Sequence, residues 1–134
     1  MKCERCGNES DLNGPTCRKC SETKGFKKDG GKPRPALLAT HAMVGLGEVL
    51  AYGAKKYDDD NWRHGMRWRR VADALLRHVF AYLGGEDRDP ETGLLHIDHA
   101  LCNAMFLSEY QHTNTGIDDR WKGLKDETAK GSGS

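Results

Sequence analysis

The chain has 134 residues, 21 Lys+Arg against 20 Asp+Glu, and a formal net charge of +1. That length admits one compact domain plus a small appendage, and the balanced charge gives no general reason to expect a nucleic-acid partner. No apolar run approaches the ~20 residues that span a bilayer, and no signal-peptide pattern precedes the cysteines, so a soluble, cytoplasmic protein without a membrane partner is expected.

The first element is a metal module. Five cysteines in a reducing compartment point to metal binding rather than to disulfides. Four of them form two C-x-x-C pairs, Cys3-Glu4-Arg5-Cys6 and Cys17-Arg18-Lys19-Cys20. Each pair aims two thiolates at one point, and together they supply the soft donors of a closed tetrahedral zinc site. The segment has almost no apolar residues, so ligation must replace a core. Four thiolates leave no open coordination position, which makes the zinc structural. Redox chemistry at a single C-x-x-C would need a strand–helix frame that is missing here. Residues 1–24 therefore read as a zinc knuckle and 25–34 as a linker and entry loop.

The composition then changes. Residues 35–57 carry apolar positions at Leu38, Ala42, Leu46, Val49, Leu50 and Gly53, a helical spacing, with Pro35 suited to the first turn. The run Asp58-Asp59-Asp60-Asn61 ends this helix. A second helix fits Trp68–Leu83 and stops at Gly84-Gly85. A third fits Thr92 to about His112. Strand-like alternation is missing, so the class is all-α: a helical domain over 35–112. Three helices make a thin bundle, and completion by a second copy is expected. Residues 113–134 read as a polar tail whose end is loose, its last four residues a vector-derived scar.

Polar residues on apolar faces carry the chemistry. Asp98 shares a stripe with Leu94, Leu101, Cys102 and Met105, where an unpaired carboxylate would cost several kcal/mol. A metal or a cationic partner relieves that cost; a capping or lysine-paired boundary Asp is the plainer alternative. His78 lies on the apolar face of the second helix, and Glu48 lies on a polar line with His41 and Lys55. His96, His99 and Asn103 fall on one line of the third helix, a spacing that can hold a metal or position phosphate oxygens. Glu86, Asp87, Asp89 and Glu91 in the intervening loop could offer oxygen ligands to a hard cation, although acidic turns are common. Lys32, Arg34, Lys55, Lys56, Asn61 and Trp62 suit phosphates and a stacked base.

The stretches Gly31-Lys-Pro-Arg34, Tyr52-Gly-Ala-Lys-Lys-Tyr57, Asn61-Trp62, Leu76-Arg-His78, Gly85-Glu-Asp-Arg-Asp-Pro90 and His96-Ile-Asp-His-Ala-Leu-Cys-Asn103 resemble a phage-associated family. It is the dATP/dGTP diphosphohydrolase (MazZ-type) family, related to the MazG-like all-α nucleotide pyrophosphohydrolases. The resemblance covers about residues 31–110 and leaves out the zinc module. It implies a MazG-like bundle that hydrolyses a purine dNTP, dGTP or dATP, to the monophosphate and pyrophosphate in phage nucleotide metabolism, in the host cytoplasm. It also implies Mg²⁺ or Mn²⁺ held by clustered acids, which polarises the phosphate and activates a water, while cations neutralise the developing charge.

Carried over by position, Glu48 matches the acidic position of the first motif helix, but Gly45 stands where relatives show a second Glu. Glu86 and Asp89 have the second signature's spacing beyond the helix end, and Asp98 is the preferred second-helix ligand. The expected set is Glu48, His78, Asp98 and His99 for catalysis, with Glu48, Asp98, Glu86 and Asp89 on the metal. Lys32, Arg34, Lys55, Lys56, Asn61, Trp62, Arg77 and Asn103 serve the substrate. The competing reading is a zinc-knuckle adaptor that binds nucleic acid or a protein without catalysis. An HD-type phosphohydrolase would need a His-Asp dipeptide, and the sequence has none.

Overall fold

The computed structural model describes residues 2–4, 6–7, 9, 17, 25 and 27–123, in two compact units, Met1–Leu38 and Ala39–Ser134. Among the described residues there are three α-helices and no strand: α1 (Thr40–Lys56), α2 (Trp68–Leu83) and α3 (His96–Thr113). The all-α class holds.

The first unit is held by an antiparallel bridge between Lys2 and Glu9 and by backbone bonds from Gly7 N to Cys3 O (2.8 Å) and Gly30 N to Glu4 O (3.0 Å). It ends in a 3-10 turn, Pro35–Leu37, after which Leu38 is extended at ψ 143°. The single helix expected from Pro35 is thus broken, and α1 begins only at Thr40. Leu37 and Leu38 are 70% and 59% exposed. A turn that buries no face has little beyond propensity to keep it helical.

In the second unit α3 is the central helix, packing against both α1 and α2. Leu46 and Val49 of α1 meet Cys102 of α3, flanked by Met43, Leu101 and Met105. Trp68 and Val71 of α2 meet Tyr110, flanked by Trp62, Met66 and Leu107. Phe106 packs against both clusters and so ties the helices into one core. Tyr110 donates its phenol proton to Trp62 O at 2.6 Å, which satisfies the polar end of a buried ring.

The segment after α3 is tied to the start of α2 as far as Asp119. Trp68 N donates to Ile117 O and Ile117 N to Met66 O, and the Trp68 indole N–H reaches Thr115 O at 2.9 Å. Gly116, at φ +80°, lets the strap approach: a Cβ there would stand 3.2 Å from the Trp68 indole nitrogen. The Asp119 carboxylate accepts from Arg69 N at 2.9 Å, so a residue far along the chain caps the start of α2. Hydrophobic spacing alone carried no sign of this strap, because its attachment runs through backbone groups.

Candidate metal and nucleotide site

The loop between α2 and α3 folds back on itself. Asp89 N donates to Leu94 O, Gly93 N to Asp89 O and His96 N to Asp87 O. The Asp89 carboxylate accepts from Glu91 N at 2.7 Å and the Thr92 hydroxyl from Leu94 N at 3.2 Å. Such side-chain bonds compete with helix formation, which is why α3 starts at His96 rather than at Thr92. The result is a compact loop that presents its polar groups to the ends of two helices.

Those groups converge. His78 Nδ1 and His96 Nδ1 are 2.9 Å apart, and His78 Nδ1 lies 3.9 Å from an Asp89 carboxylate oxygen. His78, Asp89 and His96 place their donor atoms within 4.8 Å of one another, the spacing of metal ligands. His96 is 5% exposed and its Nε2 bonds Glu86 Oε1 at 2.6 Å. His99, also buried, stacks on His78 at 4.4 Å and 8° between planes, and its Nε2 shares a 2.7 Å hydrogen bond with the Thr92 hydroxyl. Burial lowers the His78 and His99 pKa values, and neighbouring imidazoles push each down further against the pull of Asp89. Both rings are thereby held toward the neutral form, the form that binds metals and accepts protons. Burial pushes Asp89 up, but backbone N–H bonds from Glu91 and Thr92 outweigh it and leave its carboxyl below the usual value.

Of the residues expected from the sequence, the structure brings together His78, Glu86, Asp89 and His99. Lys56 joins their edge, its ammonium 3.8 Å from the Glu91 carboxylate. Glu48, Lys55, Asn61 and Arg77 are exposed; Glu48 is not among the clustered donors, and Arg77 adjoins His78, whose pKa its charge helps to lower. Asp98 is half-buried on the α1 side of α3, its carboxylate against Gly45. Asn103 turns its amide N–H to His99 O, on its own helix. The Trp62 ring stacks on Phe106 at 4.5 Å and carries the Arg63 guanidinium 4.6 Å from its centroid, so both of its faces have neighbours. A base would have to displace Arg63 to stack there. Lys32 and Arg34 belong to the first unit and are exposed. His96 sits at the centre of the site, yet the sequence offered it only as one of a pair of line-mates with His99. Its pairing with Glu86 across the loop was not legible from spacing.

The first unit holds its own donor cluster. The sulfurs of Cys3, Cys6 and Cys17 lie within 4.8 Å of one another, with Cys6 and Cys17 3.7 Å apart and no disulfide. Two thiolates on one tetrahedral zinc, each at ~2.3 Å, stand ~3.8 Å apart, so the donors fit that ion. Cys20 lies outside the described residues.

Residues 22–120 match the family model described as dATP/dGTP diphosphohydrolase, N-terminal. The chain belongs to this family. The matched region starts after Cys20 and takes in all three helices, the loop and the strap. The chain is also 36% identical over 96 residues to a dATP/dGTP diphosphohydrolase of Salmonella phage PMBT28. That alignment covers 72% of this chain and 33% of the relative, so the chain spans about a third of the relative's length. No solved structure matches it. No helix among the described residues is long and apolar enough to cross a membrane.

Proposed function

We propose that this chain is a metal-dependent pyrophosphohydrolase that converts a purine dNTP, dGTP or dATP, to the dNMP and pyrophosphate in phage nucleotide metabolism. The observation that carries this reading is the loop between α2 and α3, within the family-matched region, which brings His78, Asp89, His96 and His99 together with Lys56 at its edge. Lys56, which reaches Glu91, and Lys55 beside it offer positive charge to the phosphates. His99, neutral and held by Thr92, is the imidazole that takes a proton from the attacking water. Glu48 and Asp98 supply carboxylates to the divalent ion, Mg²⁺ or Mn²⁺, that accompanies the triphosphate. Their support is the Asp98 carboxylate lying against Gly45, one helical turn from Glu48. When bound, that ion neutralises phosphate charge and polarises the water.

The cysteine cluster is proposed to hold a structural zinc, with Cys20 as its fourth ligand, and to take no part in the chemistry. Leu76, Phe80 and Leu83 follow one line of α2 and are 45%, 65% and 71% exposed, which supports a homo-oligomer that covers them. The site of action would be the host cytoplasm.

The test is a chromatographic screen of the eight common nucleoside triphosphates with Mg²⁺ or Mn²⁺. We expect dGMP or dAMP together with pyrophosphate, and loss of both products in Glu48→Gln and Asp98→Asn. Stepwise phosphate release overturns the reaction class, and inertness toward all eight favours the zinc-knuckle adaptor. Full activity in both variants overturns the carboxylate assignment.

A further inference from the structure

We infer that His78, Asp89 and His96 form a resident transition-metal centre, distinct from the ion that travels with the nucleotide, and that Glu86 is its positioning residue. The centre stands on this chain's own side chains and does not depend on the hydrolase reading.

The geometry fits one ion. Two imidazole nitrogens bound at ~2.1 Å stand ~3.0 Å apart at a right angle and ~3.4 Å apart in a tetrahedron. The two Nδ1 atoms are 2.9 Å apart, and an Asp89 oxygen lies 3.9 Å from His78 Nδ1, inside the 4.8 Å span of the three donor atoms. The protonation pattern fits as well. Glu86 can only accept, so His96 Nε2 carries the proton of their 2.6 Å bond. His96 Nδ1 then faces His78 Nδ1 across 2.9 Å, on the side of the ring away from Glu86. A histidine that donates its second nitrogen to a carboxylate while the first binds an ion is the usual outer-sphere support of a metal centre. In the absence of an ion, the 2.9 Å contact between the two Nδ1 atoms needs one proton between them, and that proton must pass to a ring Nε2 or to solvent before an ion binds there.

The donor set names the class of ion. Two imidazoles and one carboxylate leave coordination positions open, and they favour Mn²⁺, Fe²⁺, Co²⁺ or Zn²⁺. Mg²⁺ takes oxygen ligands and keeps its waters, so it competes poorly for two nitrogens.

The experiment titrates the full chain, loaded with a single equivalent of zinc for its thiolate cluster, with MnCl₂, without nucleotide, and follows free Mn²⁺ by EPR. The expected result is bound Mn²⁺ whose pulsed-EPR signal carries ¹⁴N modulation, retained in a large excess of Mg²⁺. His96→Ala and Asp89→Asn should each weaken binding tenfold or more. Glu86→Gln should weaken it by about tenfold while thermal unfolding of the metal-free chain stays unchanged, because Glu86 is exposed and its replacement disturbs no core. Bound Mn²⁺ without ¹⁴N modulation, or its displacement by an equal concentration of Mg²⁺, overturns the centre. Wild-type affinity in Glu86→Gln overturns the positioning role, and wild-type affinity in His96→Ala overturns the ligand set. A chain that binds Mn²⁺ with ¹⁴N modulation yet hydrolyses no nucleotide supports the centre and removes only the proposed reaction.

Discussion

The Asp98 carboxylate lies in the space that a side chain on Gly45 would take: its Cγ is 2.7 Å from where a Cβ on Gly45 would stand. Gly45 is buried in the middle of α1, where Ala would ordinarily be better by ~1 kcal/mol. Here Gly45→Ala must push Asp98 aside, and overpacking of that kind costs about 1–3 kcal/mol. We expect Gly45→Ala to destabilise the chain. In an Asp98→Ala background the same substitution should stabilise it. Urea unfolding of the four chains measures the coupling, and equal effects in both backgrounds would remove the close approach as its cause.

Asp119 caps α2 from the far end of the chain. Asp119→Ala should cost about 1 kcal/mol, the usual loss of an N-cap, and lower Tm by roughly 4–8 °C. Asp119→Asn keeps the accepting oxygen and should lose only a fraction of that. Calorimetry of the two variants tests the cap, and an equal loss in both would assign the effect to charge instead.

Cys102 is buried between α1 and α3, and burial pushes its thiol up to about 11 from 9.0. The unfolded chain releases this proton near the ordinary value and the folded chain holds it, so unfolding releases a proton between those two limits. Stability should therefore fall as pH rises through that window, by up to about 2–3 kcal/mol, with no contribution below it. Cys102→Ala should be less stable at neutral pH, yet show a flatter decline on the alkaline side. Denaturant midpoints from pH 8 upward, compared between the two chains, carry the test.

The two donor clusters should respond separately. In the Co²⁺-substituted chain, Cys17→Ser should weaken the thiolate-to-metal charge-transfer absorption, and His96→Ala should leave it unchanged. Far-UV circular dichroism of Cys17→Ser should keep the helical signal of the second unit. Loss of the helices together with a weaker thiolate band would mean that the bundle depends on the knuckle.

Much of this was legible in the sequence, for reasons that also explain the rest. The second helix runs Trp68–Leu83 as its periodicity predicts, because Gly84-Gly85 ends it and its apolar stripe is dense. The other two starts slipped where local bonds outbid periodicity: Thr92 and Asp89 spend their side chains on the loop backbone, and Pro35 opens only a 3-10 turn. Within the site, His78 stood out as a polar residue on an apolar face and His99 by its line with His96 and Asn103, and both are in the cluster. The central place of His96 could not be read, since its partners His78 and Glu86 reach it only through the fold of the loop. Trp62 looked like a base platform because an aromatic near cations has that signature, but its faces are already taken by Phe106 and Arg63.

The central position of α3 has a kinetic consequence. Helices α2 and α3 are neighbours along the chain and form a local hairpin, whereas α1 must reach α3 across the whole of α2. Local contacts close at the lower entropic cost and tend to form first. The hairpin is then the natural folding nucleus, and every side chain from His78 to His99 that converges on the loop lies within it. Val71→Ala should slow folding, whereas Leu46→Ala in α1 should chiefly hasten unfolding. Ligand-binding geometry would on that view appear in the first cooperative step, before the chain has finished burying its core.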